Sequence, residues 1–190
     1  MTDHTSRLAE AFAYAAHLHR DQRRKGTDIP YITHVMAVSA LVGEHGRSED
    51  QMIAALLHDA VEDQGGRETL AAIRCRFGEH VAELVWACTD TYTEPKPPWR
   101  KRKEAYLAHI ETAPAEARLI SAADKLHNAR AIRADYRVHG EALWQRFNSS
   151  RDQVLWYYRA LADAFLRLDA SELAGELDRV VGELESSCKR

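Results

Sequence analysis

Cysteine is scarce in this chain of 190 residues: Cys75, Cys88 and Cys188 are an odd number with no C-x-x-C pair. That excludes a disulfide scaffold and a zinc ribbon, and it predicts a reducing, cytoplasmic setting. Long apolar runs are missing, since none approaches the ~18 residues of a membrane span. Residues 1–7 have neither an apolar core segment nor a cleavage pattern, so a soluble chain with no signal peptide and no membrane partner is expected. An excess of basic charge is also missing: 26 basic against 29 acidic residues give a net charge of −3 and a pI near 6.4. A domain that grips a nucleic-acid backbone usually has a pI above ~9, so no nucleic-acid polymer is expected as partner. Stretches of alternating β-branched residues, internal repeats and low-complexity tracts are absent as well.

What is present is an ordinary globular balance, 45% hydrophobic and 29% charged. At ~150 residues per domain the length gives about 1.3 domains, which predicts one domain with room for a helical appendage. A chain of this size buries about 70% of its unfolded surface and needs no covalent staples. Apolar spacing is helical almost throughout, and an all-α bundle of about eight to ten helices follows. Leu8, Phe12, Ala15, Ala16 and His19 define the first helix. Residues 26–31 form a turn, because Gly26 tolerates positive φ and Pro30 biases Ile29 away from helix. Thr33 is placed to cap the next helix, which stops at Gly46. Ser48 and Gln51 form a capping box for the apolar helix that follows. Further helices are predicted over 69–77, 79–88, 99–111, 115–133, 150–168 and 171–187, with a loop over 91–98. Residues 1–140 are read as the main domain and 141–190 as a helical extension packed on it.

Histidine is the one unusual component. There are ten, and the side chain is both the near-neutral titrating group and the commonest metal ligand. Their placement decides the chemistry. The helix after Ser48 contains His58-Asp59-Ala60-Val61-Glu62-Asp63. At 100° per residue one imidazole and three carboxylates share a side of an otherwise apolar helix. Carboxylates crowded into apolar surroundings need a cation. With ten His, thirteen Asp and sixteen Glu, random placement expects about 0.7 His-Asp dipeptides but only about 0.004 copies of the four-residue pattern. The alternative reading is a surface helix with a salt-bridged acidic stripe. His34 opens the preceding helix, where a ligand can project. Asp124 follows the apolar Ile120-Ser121-Ala122-Ala123 and shares a face with Asn128 at i,i+4, with Lys125 and Arg130 nearby. Pairing with Lys125 or Arg118 is its alternative role.

Three blocks now carry a resemblance. Arg23-Arg24-Lys25-Gly26 with Pro30-Tyr31-Ile32-Thr33-His34, then Ala54 to Asp63, then Ala123-Asp124-Lys125-Leu126-His127-Asn128 with Arg130, look like the signature blocks of HD-superfamily hydrolases. More closely, they resemble the hydrolase domain of the RelA/SpoT family and its stand-alone small alarmone hydrolases, over about residues 5–135. The resemblance implies an HD-type helical bundle and a single Mn²⁺ held by His34, His58, Asp59 and Asp124, with other divalent transition metals as alternatives. It implies Glu62 and Asp63 as the pair that activates the attacking water, and Arg24, Lys25 and Asn128 as nucleotide contacts, with Lys125 beside them. The implied reaction removes the 3′-pyrophosphate from (p)ppGpp, a small-molecule nucleotide. A nucleotidase or phosphatase acting on another nucleotide is the alternative enzyme, and a non-catalytic nucleotide sensor the alternative of a different class. The family usually has Pro after the first metal His, where this chain has Val35. The mixed imidazole and carboxylate set suits Mn²⁺, Fe²⁺ or Co²⁺ on chemical grounds.

Weaker features are assigned conservatively. Lys96 and the basic run 100–103 surround a helix start, where cations oppose the macrodipole. They are read as a solubilising patch, with a lid over a pyrophosphate as the alternative. Trp144, Phe147, Trp156, Tyr157 and Tyr158 are read as C-terminal core, with base stacking or a homodimer contact as the alternative. His17, His19, His45, His80, His109 and His139 show no ligand-like spacing and are given surface or core duty. Cys75 and Cys88 are read as small core residues.

Overall fold

Helix boundaries follow the punctuation of the sequence closely. The computed structural model describes residues 4–46, 48–89, 97–169 and 171–189. These form α1 (His4–Leu18), α2 (Ile32–His45), α3 (Glu49–Leu57), α4 (Ala60–Asp63), α5 (Gly66–Phe77), α6 (Glu79–Cys88), α7 (Trp99–Thr112), α8 (Ala115–His139), a 3₁₀ segment (Gly140–Arg146), α9 (Arg151–Asp169) and α10 (Glu172–Cys188). Among the described residues the sole β feature is an isolated antiparallel bridge between Arg23 and Pro30. The all-α expectation holds. No helix among the described residues is long and apolar enough to cross a membrane. The predicted loop over 91–98 and its Lys96 lie outside the described residues except for Pro97 and Pro98.

The chain makes two compact units. The first comprises the described residues up to 89 together with Pro114–Ser121. Its core is the pairing of α2 with α3, flanked by α1 and α6 on α3. The capping box is present: Ser48 Oγ accepts from Gln51 N at 3.2 Å and Gln51 Oε1 accepts from Ser48 N at 3.3 Å. Such a cap contributes about 1 kcal/mol. Residues 53–57 of α3 are buried all round, so this helix is the centre of the unit. Arg7 ties α1 to it, donating to Glu49 at 2.9 Å and Asp50 at 2.8 Å and to the carbonyl of Phe77 at 3.0 Å. Gly78 ends α5 and starts α6 at φ 97°, a left-handed value that a side chain would strain. The 114–121 stretch closes the unit: Gln51 Nε2 donates to Glu116 at 2.9 Å, and the Cys88 thiol lies 3.7 Å from the Ala117 carbonyl.

The second unit comprises Pro97–Ala113 and residues 122–189. Here α9 and α10 pack as a hairpin of helices. Val154, Tyr157, Tyr158, Leu161 and Phe165 form the buried stripe of α9, and Leu173, Leu177, Val180 and Leu184 that of α10. Ion pairs stitch the exposed edges: Arg159 bridges Asp178 at 2.5 Å and Glu185 at 3.1 Å, and Arg130 and Arg133 reach Glu176 and Glu183. The basic start of α7 is partly spent here. The Arg100 guanidinium lies 3.3 Å from the Trp156 ring centroid and Lys103 Nζ 5.1 Å from that of Tyr157. Of the five C-terminal aromatics, Trp144, Tyr157 and Tyr158 are buried, while Phe147 and Trp156 are half-buried.

Several local expectations need correction. Phe12 is 40% exposed; the inward line of α1 is Ala11 and Ala15, continued by His19 just past the helix end, at four-residue steps. Cys75 is exposed, because the inward line of α5 is Leu70, Ile73 and Phe77 and places residue 75 on the far side. Thr33 does not cap α2. The helix begins one residue earlier, and Thr33 Oγ1 donates back to the Pro30 carbonyl at 2.8 Å. The helix carrying the His-Asp motif is not continuous either. It stops at Leu57, turns through His58 and Asp59, and resumes as the single turn α4. Asp59 sits at φ −94°, ψ −4°, the bridge region where site residues are often found.

Candidate metal centre and acidic pair

His34 comes from the first turn of α2, while His58 and Asp59 come from the break between α3 and α4. The break turns the carboxylate back onto the two imidazoles. Asp59 Oδ2 lies 3.0 Å from His58 Nε2 and 3.7 Å from His34 Nε2, and one ligand atom from each residue falls within 4.8 Å of the others. The two rings meet edge to face at 5.4 Å. Both histidine side chains are essentially inaccessible, whereas that of Asp59 is 23% exposed, so the group is reached from the carboxylate side.

The donor chemistry fits a metal. His58 Nδ1 lies 2.8 Å from the carbonyl of Ala55. A carbonyl can only accept, so Nδ1 carries the ring proton and Nε2 of the neutral ring presents a lone pair. That lone pair faces a carboxylate oxygen, itself only an acceptor, at 3.0 Å. Two acceptors so placed oppose each other unless a proton or a cation lies between them. A divalent ion satisfies all three atoms at once, and structural second partners such as the Ala55 carbonyl are how proteins aim such ligands.

One contributor escaped the residue-type patterns. Tyr31, the residue before α2, donates its hydroxyl to Asp59 Oδ2 at 2.5 Å and stacks edge to face on His34 at 5.3 Å. It therefore orients two members of the group. Its position in the Pro30-Tyr31 turn was visible, but a hydroxyl 28 residues from its acceptor leaves no spacing signal. Tyr31→Phe is expected to weaken metal affinity about 10–100-fold, the usual effect of losing an outer partner of a ligand. Isothermal titration of Mn²⁺ into both proteins measures it.

The remaining predicted residues are placed as follows. Glu62 and Asp63 form the end of α4; Glu62 is half-buried and Asp63 exposed. Asp63 Oδ2 accepts from Gln22 Nε2 at 2.8 Å. Arg24 and Lys25 lie in the bridged loop between α1 and α2, where Gly26 takes φ 71° and Arg24 N donates to the Ile29 carbonyl at 2.8 Å. The Arg24 guanidinium stands 5.9 Å from the Tyr31 ring centroid, and Lys25 is exposed.

Asp124, Lys125 and Asn128 belong to the second unit. Asp124 is buried; its Oδ2 takes Lys125 Nζ at 2.6 Å and its Oδ1 takes Asn128 Nδ2 at 2.5 Å. Lys125 Nζ also lies 4.8 Å from the Tyr106 ring centroid. Burial alone would pull the Lys125 ammonium down, but the Asp124 carboxylate beside it, helped by Tyr106 and Tyr157, holds it well above the usual lysine range. The cation stays charged.

The HD domain family profile matches residues 11–154, three quarters of the chain. The chain belongs to the HD-domain family. Membership implies a divalent metal, and the His34, His58 and Asp59 group of this HD-domain protein has the donors to hold one. Its relatives narrow the comparison. A Mus musculus protein named guanosine-3′,5′-bis(diphosphate) 3′-pyrophosphohydrolase MESH1 is 40% identical over 135 residues, covering 70% of this chain and 73% of its own. The Drosophila melanogaster protein of that name is 32% identical over 179 residues, 93% of each chain. A solved structure described as a metazoan ortholog of SpoT that hydrolyzes ppGpp matches with a TM-score of 0.78 at 30% identity, covering 94% of this chain and 95% of that one.

Proposed function

We propose that this HD-domain protein is a Mn²⁺-dependent hydrolase that removes the 3′-pyrophosphate of (p)ppGpp, giving GDP or GTP and pyrophosphate. The observation that carries the reading is an intact His34, His58 and Asp59 group within a chain similar to ppGpp 3′-pyrophosphohydrolases over most of its length. Asp124 is assigned as the fourth ligand by the resemblance of its motif; a buried carboxylate with a committed cation and amide is consistent with a fixed donor. A bound divalent ion at such a site acidifies water and neutralises phosphate charge. The chain supplies the rest. Glu62 and Asp63 accept the proton of the attacking water. Arg24 grips phosphate or stacks on the base, Lys25 neutralises phosphate, and Asn128 and Lys125 contact the nucleotide.

Chromatography of ppGpp after incubation with Mn²⁺ and purified protein tests the reading. GDP and intact pyrophosphate are expected, not two single phosphates, because the proposed reaction breaks the bond at the ribose end. Arg24→Ala is expected chiefly to raise KM, the mark of lost ground-state binding. Absence of GDP, together with rapid phosphate release from a nucleoside monophosphate, would replace this substrate with that of a general nucleotidase.

A further inference from the structure

Asp63 is exposed at the end of a single-turn helix. A residue from 41 positions away reaches its carboxylate. Gln22, just beyond α1, donates Nε2 to Asp63 Oδ2 at 2.8 Å. The identity of the donating atom is forced, because an ionised carboxylate offers only lone pairs. Gln22 Oε1 therefore points the other way, where it receives Gln64 Nε2 at 2.7 Å and faces His19 Nδ1 at 2.7 Å. An amide oxygen also only accepts, so His19 Nδ1 must carry the ring proton. Donation runs one way, from His19 through Gln22 to Asp63.

His19 is an expensive residue for its place. It is 1% exposed, and its Nε2 is buried with no hydrogen-bond partner. An apolar side chain would fill the inward line of α1 set by Ala11 and Ala15 without that cost. The ring spends its one proton on Gln22, and its face packs 5.1 Å from Tyr31. Gln64, which directly follows Asp63, grips the same amide oxygen and is in turn held through its carbonyl by Thr69 Oγ1. The Gln22 amide is thus clamped on two sides, and its remaining donor is presented to the carboxylate.

We propose that Gln22, oriented by His19 and Gln64, is a positioning residue for Asp63: it holds the carboxylate in the rotamer from which it takes the proton of the attacking water. The inference rests on the acidic pair having the role proposed above. An exposed aspartate samples several rotamers, and a misplacement of about 1 Å can cost about 10²-fold in rate.

The test is a double-mutant cycle with kcat and KM read separately on ppGpp and Mn²⁺. Gln22→Ala is expected to lower kcat about 10–100-fold while leaving KM and the Mn²⁺-induced thermal shift unchanged. In an Asp63→Asn background the same change should cost less than about twofold, since residues acting as a unit are not additive. Gln22→Glu keeps the shape but sets a carboxylate against a carboxylate, and is expected to be at least as impaired as Gln22→Ala. His19→Phe should lose kcat in the same direction, more weakly. Additive losses, or a loss confined to KM, overturn the proposal. Two measurements decide it even if ppGpp is not the substrate. The crystal structure of Gln22→Ala should show the Asp63 carboxylate displaced by about 1 Å or more, and long-range ¹H–¹⁵N spectra of the wild type should show His19 as the Nδ1–H tautomer. An unmoved carboxylate or an Nε2–H tautomer refutes the positioning role, whereas failure of the wild type on ppGpp refutes only the substrate.

Discussion

Asp59→Ala is expected to abolish metal-dependent turnover and to erase the thermal shift expected when Mn²⁺ is added to the wild type. At a metal concentration a hundred times the Kd, binding stabilises the native state by about 2.7 kcal/mol. For a chain of this length each kcal/mol raises Tm by about 2–4 °C, so the wild-type shift is about 5–11 °C. The metal-free variant should melt close to the metal-free wild type, because the substitution also removes the acceptor that opposes His58 Nε2 at 3.0 Å. His58→Ala should differ in that respect. Its ring is buried, so its loss leaves a cavity costing about 2–4 kcal/mol with or without metal. Calorimetric scans of the three proteins with and without Mn²⁺ separate these effects. An undiminished Mn²⁺ shift in Asp59→Ala would remove the carboxylate from the ligand set.

Glu62→Gln and Asp63→Asn are expected to do the reverse: keep the metal and the fold, and lose the chemistry. Removing a general base costs about 10²–10⁴-fold in rate, which corresponds to about 2.7–5.4 kcal/mol of activation free energy. The amides are nearly isosteric, and both positions lie on α4 away from the fully buried residues 53–57, so Tm and the Mn²⁺ shift should hold. Stopped-flow or quenched assays of pyrophosphate release give kcat directly. Turnover near that of the wild type in both variants would make the pair a structural feature of α4.

The frame of the molecule was legible because its stops are local. Gly46, Gly78 and Pro114 each mark a helix boundary, and the Ser48 and Gln51 pair announces α3 four residues before its apolar run. His58 and Asp59 were legible because their motif is improbable by chance, and the family resemblance joined them to His34 and Asp124; the structure brings His34, His58 and Asp59 together. What could not be read is whatever depends on chain segments far apart. No glycine or proline marks the break at His58 and Asp59, so a continuous helix was the natural reading; the break shows only in the backbone. Tyr31 and Gln22 act across 28 and 41 residues through single hydrogen bonds, and His19 looked like ordinary core because its partner is a glutamine and not a ligand. The outward turn of Phe12 and Cys75 has the same origin. Each lies on a true helix, but which of its faces is covered depends on neighbours that periodicity does not name.

The interleaving of the two compact units has a consequence for anyone dividing the gene. Each unit is assembled from two stretches of chain, and each encloses a stretch that belongs to the other. No single cut yields either one cleanly. A fragment ending at residue 96 discards the Glu116 acceptor of Gln51 and the Ala117 carbonyl that faces Cys88. A fragment ending at residue 121 restores them but carries α7 without the α9 surface on which it packs. During synthesis the first unit cannot close until α8 has begun to emerge, by which time α7 is already exposed and waiting for a partner still to be translated. Truncation series should therefore pass directly from insoluble products to the whole protein, with no soluble half between them.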